Sequence, residues 1–476
     1  MSDKRTSDLV QEAMTLRYTR RQILRRATAL GLSIPAISAV LAACGEEDED
    51  EGAAGAQSGG ASTETGSAEK PTAPAVLKGS KLNVLASTYF VPAGQDLYES
   101  QLNEWGNQEG VEVSVDFVNW PDLQPKIGAA IQGGSGPDVV ELWDTWPYLY
   151  YQSMVDVHDM ATKIGDTQGG YYDWATKTAS IDGHWYSIPH GNSTSAMAYR
   201  ISYFKEAGVA DPQKDFPKTW EELFEVGKNL KEMGKPLGQA LGHSLGDPPA
   251  FTYSYMWAYG AMEVEEDGTT VAFHNDQFVD GMTKFVQGWK DAYDETGLGW
   301  DDSTNNRAFL ADQISGTFNG SSVYLAAQKD APDIAEDTDH VGFFEGPAGR
   351  FNMIGSRSYG IMKHSKSQDA AKAFLEWWYE PAQYTAWLEA QEGYIVPAVP
   401  GYADNPIYTN DPKLAPYSDV VNYGRSKGYA GAANEKAALS YAKYIVIDAF
   451  AKAIQDGNPE EAIKWGADQL KQIYST

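Results

Sequence analysis

The hydrophobic positions change their spacing several times in the region that follows residue 80. Runs of alternating or continuous apolar side chains are typical of strands, and apolar residues three and four positions apart are typical of helices. Because strands and helices alternate in this region, the pattern predicts an α/β fold with a parallel sheet. The predicted strands are 81–86, 111–118 and 138–142, and the predicted helices are 95–108 and a segment that starts at 119.

The segment from Asn119 to Trp146 carries the clearest signals. Asn119 is a suitable helix cap, and Pro121 lies in the first turn, where its missing N–H costs nothing. The glycine-rich residues 133–137 end the helix and turn the chain. The following strand, 138–142, is mostly apolar, as in a parallel sheet that is covered on both faces.

The end of that strand predicts a ligand site. Trp143, Asp144 and Trp146 follow directly, and the ligands of open α/β sheets lie outside the carboxyl ends of the strands. A sugar fits this set, because its C–H faces pack on aromatic rings and its hydroxyl groups donate to carboxylates. The alternative interpretation is that both tryptophans are core residues and that Asp144 caps the next helix.

Two later segments carry turn and cap signals. The pair Asp182-Gly183 predicts a tight hairpin turn that leads into another strand. Thr219 followed three residues later by Glu222 predicts a capping box at the start of a helix that runs to about Met233.

Composition narrows the class of protein. The chain has 476 residues, a formal net charge of −29 at pH 7 and a single cysteine. Its length allows two or three domains, and its acidic balance disfavours nucleic acid as a partner, because such binding needs basic patches. A single cysteine excludes internal disulfides and cysteine-based zinc sites. The 14 Trp and 28 Tyr indicate an aromatic core, or such a core together with an aromatic-lined cleft.

The N-terminus has the pattern of an export signal. Residues 19–25 contain paired arginines, a moderately apolar run covers 27–43, and Leu-Ala-Ala-Cys-Gly ends at Gly45. Residues 1–43 therefore resemble a Tat signal peptide with a lipobox, which implies cleavage before Cys44 and diacylation of its sulfur. A membrane-spanning helix is the alternative, but the apolar run is shorter than about 18 residues and contains Pro35.

Residues 44–76 are predicted to be a tether. An acidic block at 46–51 is followed by a stretch rich in Gly, Ala, Ser, Thr and Pro. Such a composition cannot bury a core, so we expect disorder here. The expected location of the protein is the extracytoplasmic face of the cell membrane, with a lipid anchor on Cys44.

Seven short motifs follow one another in the order of a known family. The chain resembles the family 1 extracellular solute-binding proteins of ABC importers, the maltose-binding-protein-like group, over roughly residues 80 to 475. Each motif is loose by itself, and their common order carries the resemblance. The motifs lie at 134–140, 182–189, 199–208, 217–223, 316–321, 358–361 and 370–375.

The resemblance implies an α/β fold of the two-lobed type II periplasmic binding protein class, with a hinge between the lobes. It places lobe I at 77–190 plus 320–356 and lobe II at 191–319 plus 357–476, with crossings near 188–193, Asn319 and Ser358. The implied ligand is a small-molecule solute, a mono- or oligosaccharide, and the implied partners are the ABC permease subunits. A monomer without cofactor or metal is expected.

The resemblance also implies positions that contact the ligand, each with ordinary packing or capping as its alternative. Arg357 is unusual at its position and has the shape to bind hydroxyls, a carboxylate or a phosphate. The implied positions are Tyr89, Trp120, Trp143, Asp144, His190, Asn192, Tyr255, Trp257, Asn319, Gly320, Ser321, Ser356, Arg357 and Tyr394, with Phe90 and Gly355 as further candidates.

Enzymatic signals are weak in this sequence. Residues 242–246 match G-x-S-x-G, the turn that exposes Ser244 in serine hydrolases, but Asp247-Pro248-Pro249 prevents a helix from starting at the serine. The histidines show no metal-binding spacing, and no pair of carboxylates stands out as a glycosidase pair. The sequence therefore predicts a binding protein rather than an enzyme. The alternatives are a binding protein for a non-sugar solute, such as a phosphorylated polyol or a peptide, and a secreted hydrolase.

Overall fold

The computed structural model describes residues 77–475. The predicted signal peptide at 1–43, the lipidation site Cys44 and the tether at 44–76 lie outside the described residues. Among the helices that are described, none is both long enough and apolar enough to cross a membrane.

The described region alternates between short strands and helices. The strands are β1 Lys81–Ser87, β2 Glu112–Val118, β3 Val139–Trp143, β4 Ser180–Ile181, β5 His184–Trp185, β6 Ile188–Ser193, β7 Ala196–Arg200, β8 Gly316–Asn319, β9 Thr338–Val341, β10 Glu345–Gly346, β11 Gly349–Arg350, β12 Asn352–Met353, β13 Arg357–Ile361, β14 Ile395–Val396 and β15 Gly424–Arg425. The helices are α1 Pro92–Glu109, α2 Trp120–Gly133, α3 Trp146–Tyr150, α4 His158–Asp166, α5 Asp173–Ala179, α6 Ile201–Glu206, α7 Trp220–Glu232, α8 Asp247–Ala258, α9 Asp276–Ala292, α10 Thr304–Leu310, α11 Ser322–Asp330, α12 Pro332–Glu336, α13 Gln368–Trp378, α14 Pro381–Ala390, α15 Pro406–Thr409, α16 Ala415–Asp419, α17 Glu435–Ala442, α18 Ile445–Asp456 and α19 Pro459–Tyr474.

Lobe I is built on a six-stranded sheet with the order β14-β6-β13-β3-β1-β2. Strand β1 runs parallel to β2 and β3, and β13 runs antiparallel to both β3 and β6. All five residues of β3 are buried, which explains why the strand is apolar except for Glu141. The predicted α/β fold is confirmed, although the predicted parallel order applies to the first three strands and the complete sheet is mixed.

Lobe II contains a three-stranded antiparallel sheet with the order β8-β7-β9 and a large aromatic core. Trp220 at the start of α7 is fully buried, and its ring lies 4.9 Å from that of Tyr255 and 5.5 Å from that of Phe251, centroid to centroid. Helices α18 and α19 contribute further apolar residues to this core. Much of the aromatic content of the chain therefore has a packing role.

Local signals in the sequence correspond to local structure. Strands β4 and β5 pair around Asp182 and Gly183, which both have positive φ, as a tight hairpin requires. The capping box is formed, with the backbone N–H of Glu222 donating to the Thr219 hydroxyl at 3.2 Å. Asn119 occupies the N-cap position of α2, but its side chain accepts no capping hydrogen bond.

The expected division of the lobes is wrong in two segments. Residues 320–356 were expected in lobe I, yet β9 within them pairs with β7 of lobe II. Strand β13 was expected in lobe II, yet it pairs with β3 of lobe I, and helices α13 and α14 pack into the lobe I core. The physical reason is that strands that pair in a sheet are far apart along the chain. A short sequence motif does not specify which distant strand its own strand will pair with.

The chain crosses between the lobes at three places, and the first two lie close to the crossings expected near 188–193 and Ser358. The first crossing joins β6 to β7, the second joins β12 to β13, and the third follows β14. Asn319 ends β8 inside lobe II, and the expected crossing there is absent, since the next strand, β9, belongs to the same sheet.

Candidate ligand-binding cleft

A cavity lies between the two lobes, with an empty volume of about 570 Å³ that includes the part open to solvent. Both lobes and the crossing segments contribute to its wall. The lining residues are Phe90, Trp120, Trp143 and Tyr394 from lobe I; Gly246, Asp247, Ala250, Asp302, Asn319, Gly320 and Ser322 from lobe II; and Asn192, Ser193, Ser195 and Met353 near the crossings.

The lobe I side is an aromatic wall made of Phe90, Trp120, Trp143 and Tyr394. Trp143 is the last residue of β3, and Trp120 is the first residue of α2, directly after β2. Their rings meet edge to face with centroids 4.3 Å apart, and the Trp120 indole N–H donates to the Thr88 carbonyl at 3.0 Å. The wall therefore stands at the carboxyl ends of the parallel strands, where ligands of such sheets bind.

A buried ion pair lies behind this wall. The Nε of Arg357 donates to Glu141 Oε1 at 2.7 Å, and Arg357 Nη2 donates to the Ser87 hydroxyl at 3.0 Å. The guanidinium carbon lies 4.5 Å from the Trp120 ring centroid and 5.8 Å from that of Trp143. Both members of the pair are almost inaccessible to solvent. The guanidinium therefore packs against both indole rings without lining the cavity itself.

Neighbouring charges keep this pair ionised. Burial by itself raises the pKa of Glu141, but the charge of Arg357 and the His190 ring 3.5 Å away outweigh it and lower that pKa to about 2. His190 is fully buried, and burial lowers its pKa. Arg357 and Glu141 thus form a charged pair beside the buried His190 ring.

The lobe II side is polar and carries two aspartates. The Asp302 carboxylate accepts the backbone N–H of Asp247 at 2.8 Å and that of Gly246 at 3.0 Å. Asp247 Oδ2 accepts from the Asn305 amide at 2.8 Å. Burial raises the pKa of both aspartates, and the charge of Asp302 raises that of Asp247 further. In the described part of the chain no lysine or arginine lines the cavity.

Six of the expected contact residues line the cavity. Gly320 lies close to the opposite lobe, since a Cβ at this position would lie 2.8 Å from the Tyr394 ring. The six are Trp120, Trp143, Asn192, Asn319, Gly320 and Tyr394, and Phe90 also lines the cavity.

The structure does not bring the other expected residues to the cavity surface. Tyr255 and Trp257 belong to the lobe II core, where the Tyr255 hydroxyl donates to the Gly281 carbonyl at 2.7 Å. Arg357 has its guanidinium occupied by Glu141 and Ser87. The remaining residues, all buried outside the cavity lining, are Tyr89, Asp144, His190, Ser321 and Ser356.

Sequence reasoning missed much of the lobe II side. Asp247 was noted only as a helix breaker, and Asp302 was not considered. Their position depends on how loop 301–302 packs on the start of α8, which no local pattern announces. An acidic residue beside a helix start was the single available signal. The other unpredicted lining residues are Ser193, Ser195, Gly246, Ala250, Ser322 and Met353.

The G-x-S-x-G segment has a structural role beside the cavity. Ser244 is buried, and its hydroxyl accepts the backbone N–H of Asp302 at 3.3 Å. The adjacent His243 bonds to Asp448 at 2.7 Å and stacks on Tyr444. Within the described residues Ser244 makes no hydrogen bond with a histidine, so the geometry of an activated serine is not formed.

The end of β3 joins the two lobes directly. The Trp143 indole N–H donates to the Tyr441 hydroxyl at 3.0 Å, and Tyr441 in turn donates to the Leu245 carbonyl at 2.6 Å. The next residue, Asp144, forms a buried ion pair with Lys427. These contacts connect lobe I to the segment that precedes Gly246 in the opposite wall of the cavity.

This architecture agrees with a known family. Residues 101–416, more than half of the chain, match the bacterial extracellular solute-binding proteins. The chain belongs to this family.

Individual relatives match shorter segments. A putative binding protein of Brucella abortus is 24% identical over 165 residues, which cover 34% of this chain and 38% of that protein. The sn-glycerol-3-phosphate-binding periplasmic protein UgpB of Escherichia coli is 30% identical over 125 residues, or 24% of this chain and 27% of that protein. The matched segments span well under half the length of these relatives.

A solved structure supports the fold over most of the chain. The structure of an ABC transporter solute-binding protein from Thermotoga lettingae, bound with α-D-tagatose, superposes with a TM-score of 0.71 at 16% identity. The match covers 83% of this chain and 100% of that one. The two-lobed α/β fold of periplasmic binding proteins is therefore confirmed.

The ion pair behind the aromatic wall provides a test of this site. We expect Arg357→Met to lower the free energy of unfolding by about 3–5 kcal/mol, because Glu141 then remains buried without its cation. Urea unfolding followed by tryptophan fluorescence measures the change. The double variant Arg357→Met/Glu141→Gln serves as the matched control and should recover part of the loss, since no uncompensated charge remains. A single variant as stable as the wild type would contradict this account.

Proposed function

We propose that this protein captures a carbohydrate in the interlobe cleft and delivers it to the membrane subunits of an ABC importer. The observation that carries this proposal is an aromatic wall that faces two aspartates across one cavity. Pyranose C–H faces pack on indole rings, and sugar hydroxyls donate strongly to carboxylates. The tagatose-bound relative of the same fold supports a sugar as the ligand class.

Closure of the lobes is the proposed mechanism of capture. The aromatic wall belongs to lobe I and the aspartates belong to lobe II, so a ligand completes both sets of contacts only when the lobes approach each other. A ligand with such differential contacts shifts the equilibrium towards the closed form. The closed form would then be the species that docks on the permease.

A phosphorylated polyol is the second candidate, because one relative is named as an sn-glycerol-3-phosphate-binding protein. The charges at the cavity favour the neutral sugar. Asp247 and Asp302 line the cavity, no lysine or arginine does so among the described residues, and Arg357 is occupied by Glu141. A phosphate would therefore meet like charges without a compensating cation.

A ligand screen tests the proposed function. We expect neutral mono- or oligosaccharides to raise the melting temperature in a thermal-shift assay, because a ligand at a hundred times its Kd stabilises the folded state by about 2.7 kcal/mol. sn-Glycerol 3-phosphate should leave the melting temperature unchanged. Isothermal titration calorimetry then measures the Kd of each hit. Binding of the phosphate in preference to every sugar would replace the first candidate by the second.

The aromatic wall gives a second, residue-level prediction. Trp120→Ala should weaken the affinity for the best saccharide of the screen by at least about tenfold, or ~1.4 kcal/mol, since a stacking surface is lost. Trp257→Phe is the matched control, because Trp257 is packed in the lobe II core and does not line the cavity. Calorimetry on both variants measures the effect. Equal affinity in Trp120→Ala and the wild type would remove the aromatic wall from the binding site.

Attachment to the membrane is proposed from the N-terminal sequence. Cys44 is the only cysteine of the chain and follows Leu-Ala-Ala in a lipobox-like context. We expect Cys44→Ser to move the exported protein from the membrane fraction to the soluble fraction, because one or two acyl chains supply the anchoring free energy. Fractionation and immunoblotting of the full-length chain provide the measurement, with Ser38→Ala as a matched control. Retention of the Cys44→Ser protein on the membrane would exclude a lipid anchor at this residue.

A further inference from the structure

We propose that the solute carries a protonated amine, as an amino sugar does, and that Asp247 and Asp302 bind its ammonium group. This inference rests on the proposed function as a saccharide-binding protein. It assigns a specificity-determining role to the two aspartates and narrows the chemical class of the ligand.

The first argument is the charge balance of the cavity. Two aspartates line it without a lysine or arginine among the described lining residues. Elsewhere in the described region, the buried carboxylates Glu141 and Asp144 each have a basic partner, Arg357 and Lys427 respectively, whereas Asp138 and Glu263 accept from neutral donors only. Buried carboxylates are unfavourable unless a cation or several donors compensate them. At the cavity the protein supplies neutral donors, namely Asn305 and two backbone N–H groups, but no cation, and a cationic group on the ligand supplies the missing charge.

The second argument is the number of unused acceptors around the cavity. Asp247 Oδ2 accepts from Asn305, whereas its Oδ1 has no hydrogen-bond partner among the described residues. Each oxygen of Asp302 accepts one backbone N–H, although a carboxylate has about four acceptor positions in total. The site therefore has capacity for further donors on both aspartates.

Asn192 adds an independent observation on the same cavity. Its side chain is only 4% exposed, and its Oδ1 has no hydrogen-bond partner. The orientation of the amide is defined, because Nδ2 donates to the Gly355 carbonyl at 2.8 Å. An acceptor is therefore left beside the cavity, and it too requires a donor. An ammonium group has three donors and no acceptor, which matches a site with a surplus of acceptors.

The aromatic wall also favours a cation over an anion. The faces of tryptophan, tyrosine and phenylalanine rings attract positive charge, by about 0.5–1 kcal/mol at exposed sites and more when water is excluded. Burial raises the pKa of Asp247 and of Asp302, so an incoming cation also stabilises their ionised forms. A neutral hydroxyl group satisfies the acceptors but leaves the charge uncompensated. The charge balance is what distinguishes an amine from a hydroxyl here.

Matched sugars that differ at one substituent test this inference. The monosaccharide probes are glucose, glucosamine and N-acetylglucosamine, with the corresponding galactose and mannose series. The disaccharide probes are cellobiose, its 2-amino counterpart chitobiose and the N-acetylated N,N′-diacetylchitobiose. Calorimetry at pH 7 on the full-length chain measures each Kd. We expect the amine in the series that binds to be preferred about tenfold or more over both neutral members.

Variants then assign the preference to the two aspartates. In Asp302→Asn and in Asp247→Asn the ratio of amine to neutral affinity should fall towards one. Asp301→Asn is the matched control, since Asp301 is exposed, bonds within its own turn and does not line the cavity; this variant should keep the wild-type ratio. The melting temperature of each variant shows whether it is folded. The comparison of sugars on the wild type remains informative even if one variant fails to fold.

The outcomes separate this inference from the proposed function. If a neutral saccharide binds and no amine is preferred, the inference is wrong and the proposed function stands. If the preference survives in both aspartate variants, the assignment to Asp247 and Asp302 is wrong. If no saccharide of either kind binds, the proposed function fails and the inference fails with it.

Discussion

The buried pair between Glu141 and Arg357 is the interaction on which the cleft depends. Glu141 lies in β3, the central strand of lobe I, and Arg357 is the first residue of β13, where the chain has just returned from lobe II. The pair therefore connects the sheet to a crossing segment at the point where the cavity begins. A buried charge pair is stable only when both partners are in place and their remaining hydrogen bonds are satisfied. Ser87 meets this condition for both partners, since its hydroxyl and backbone N–H donate to Glu141 and its hydroxyl accepts from Arg357, and the guanidinium in turn packs against the rings of Trp120 and Trp143.

The two walls of the cavity have different chemistry because they come from different lobes. The parallel strands of lobe I end in aromatic residues, whereas the loops and helix starts of lobe II supply carboxylates, an amide and hydroxyls. A ligand that touches a single wall gains only apolar contact or only hydrogen bonds. In the proposed mechanism this division couples ligand recognition to the approach of the lobes, since a ligand reaches the full set of contacts only when the lobes close. The contacts of Trp143 with Tyr441 and of Asp144 with Lys427 connect the end of β3 directly to residues far along the chain.

The abundance of aromatic residues has two separate causes. Most of the large rings, such as Trp220, Trp289 and Trp378, are fully buried and pack on other rings inside one lobe or the other. Only a few stand at the cavity. Composition could not separate these groups, because a count of tryptophans and tyrosines carries no information on where each side chain packs. Tyr255 and Trp257 illustrate this, since their local sequence suggested the cleft and their helix is buried on every side.

The sequence by itself determined the local features of this protein. The capping box at Thr219, the hairpin at Asp182-Gly183 and the strand that ends in Trp143 depend on residues a few positions apart, so their patterns can be read directly. The family resemblance extended this to the overall fold and to half a dozen lining residues. Only the tertiary structure decided which strands pair, and it moved β13 and β9 to the lobes opposite to those expected. It also decided that Arg357 is neutralised by Glu141 and that Asp302 reaches the cavity beside Asp247. These outcomes rest on contacts between residues 50 to more than 200 positions apart, and no local periodicity or motif encodes which distant partner a side chain will meet.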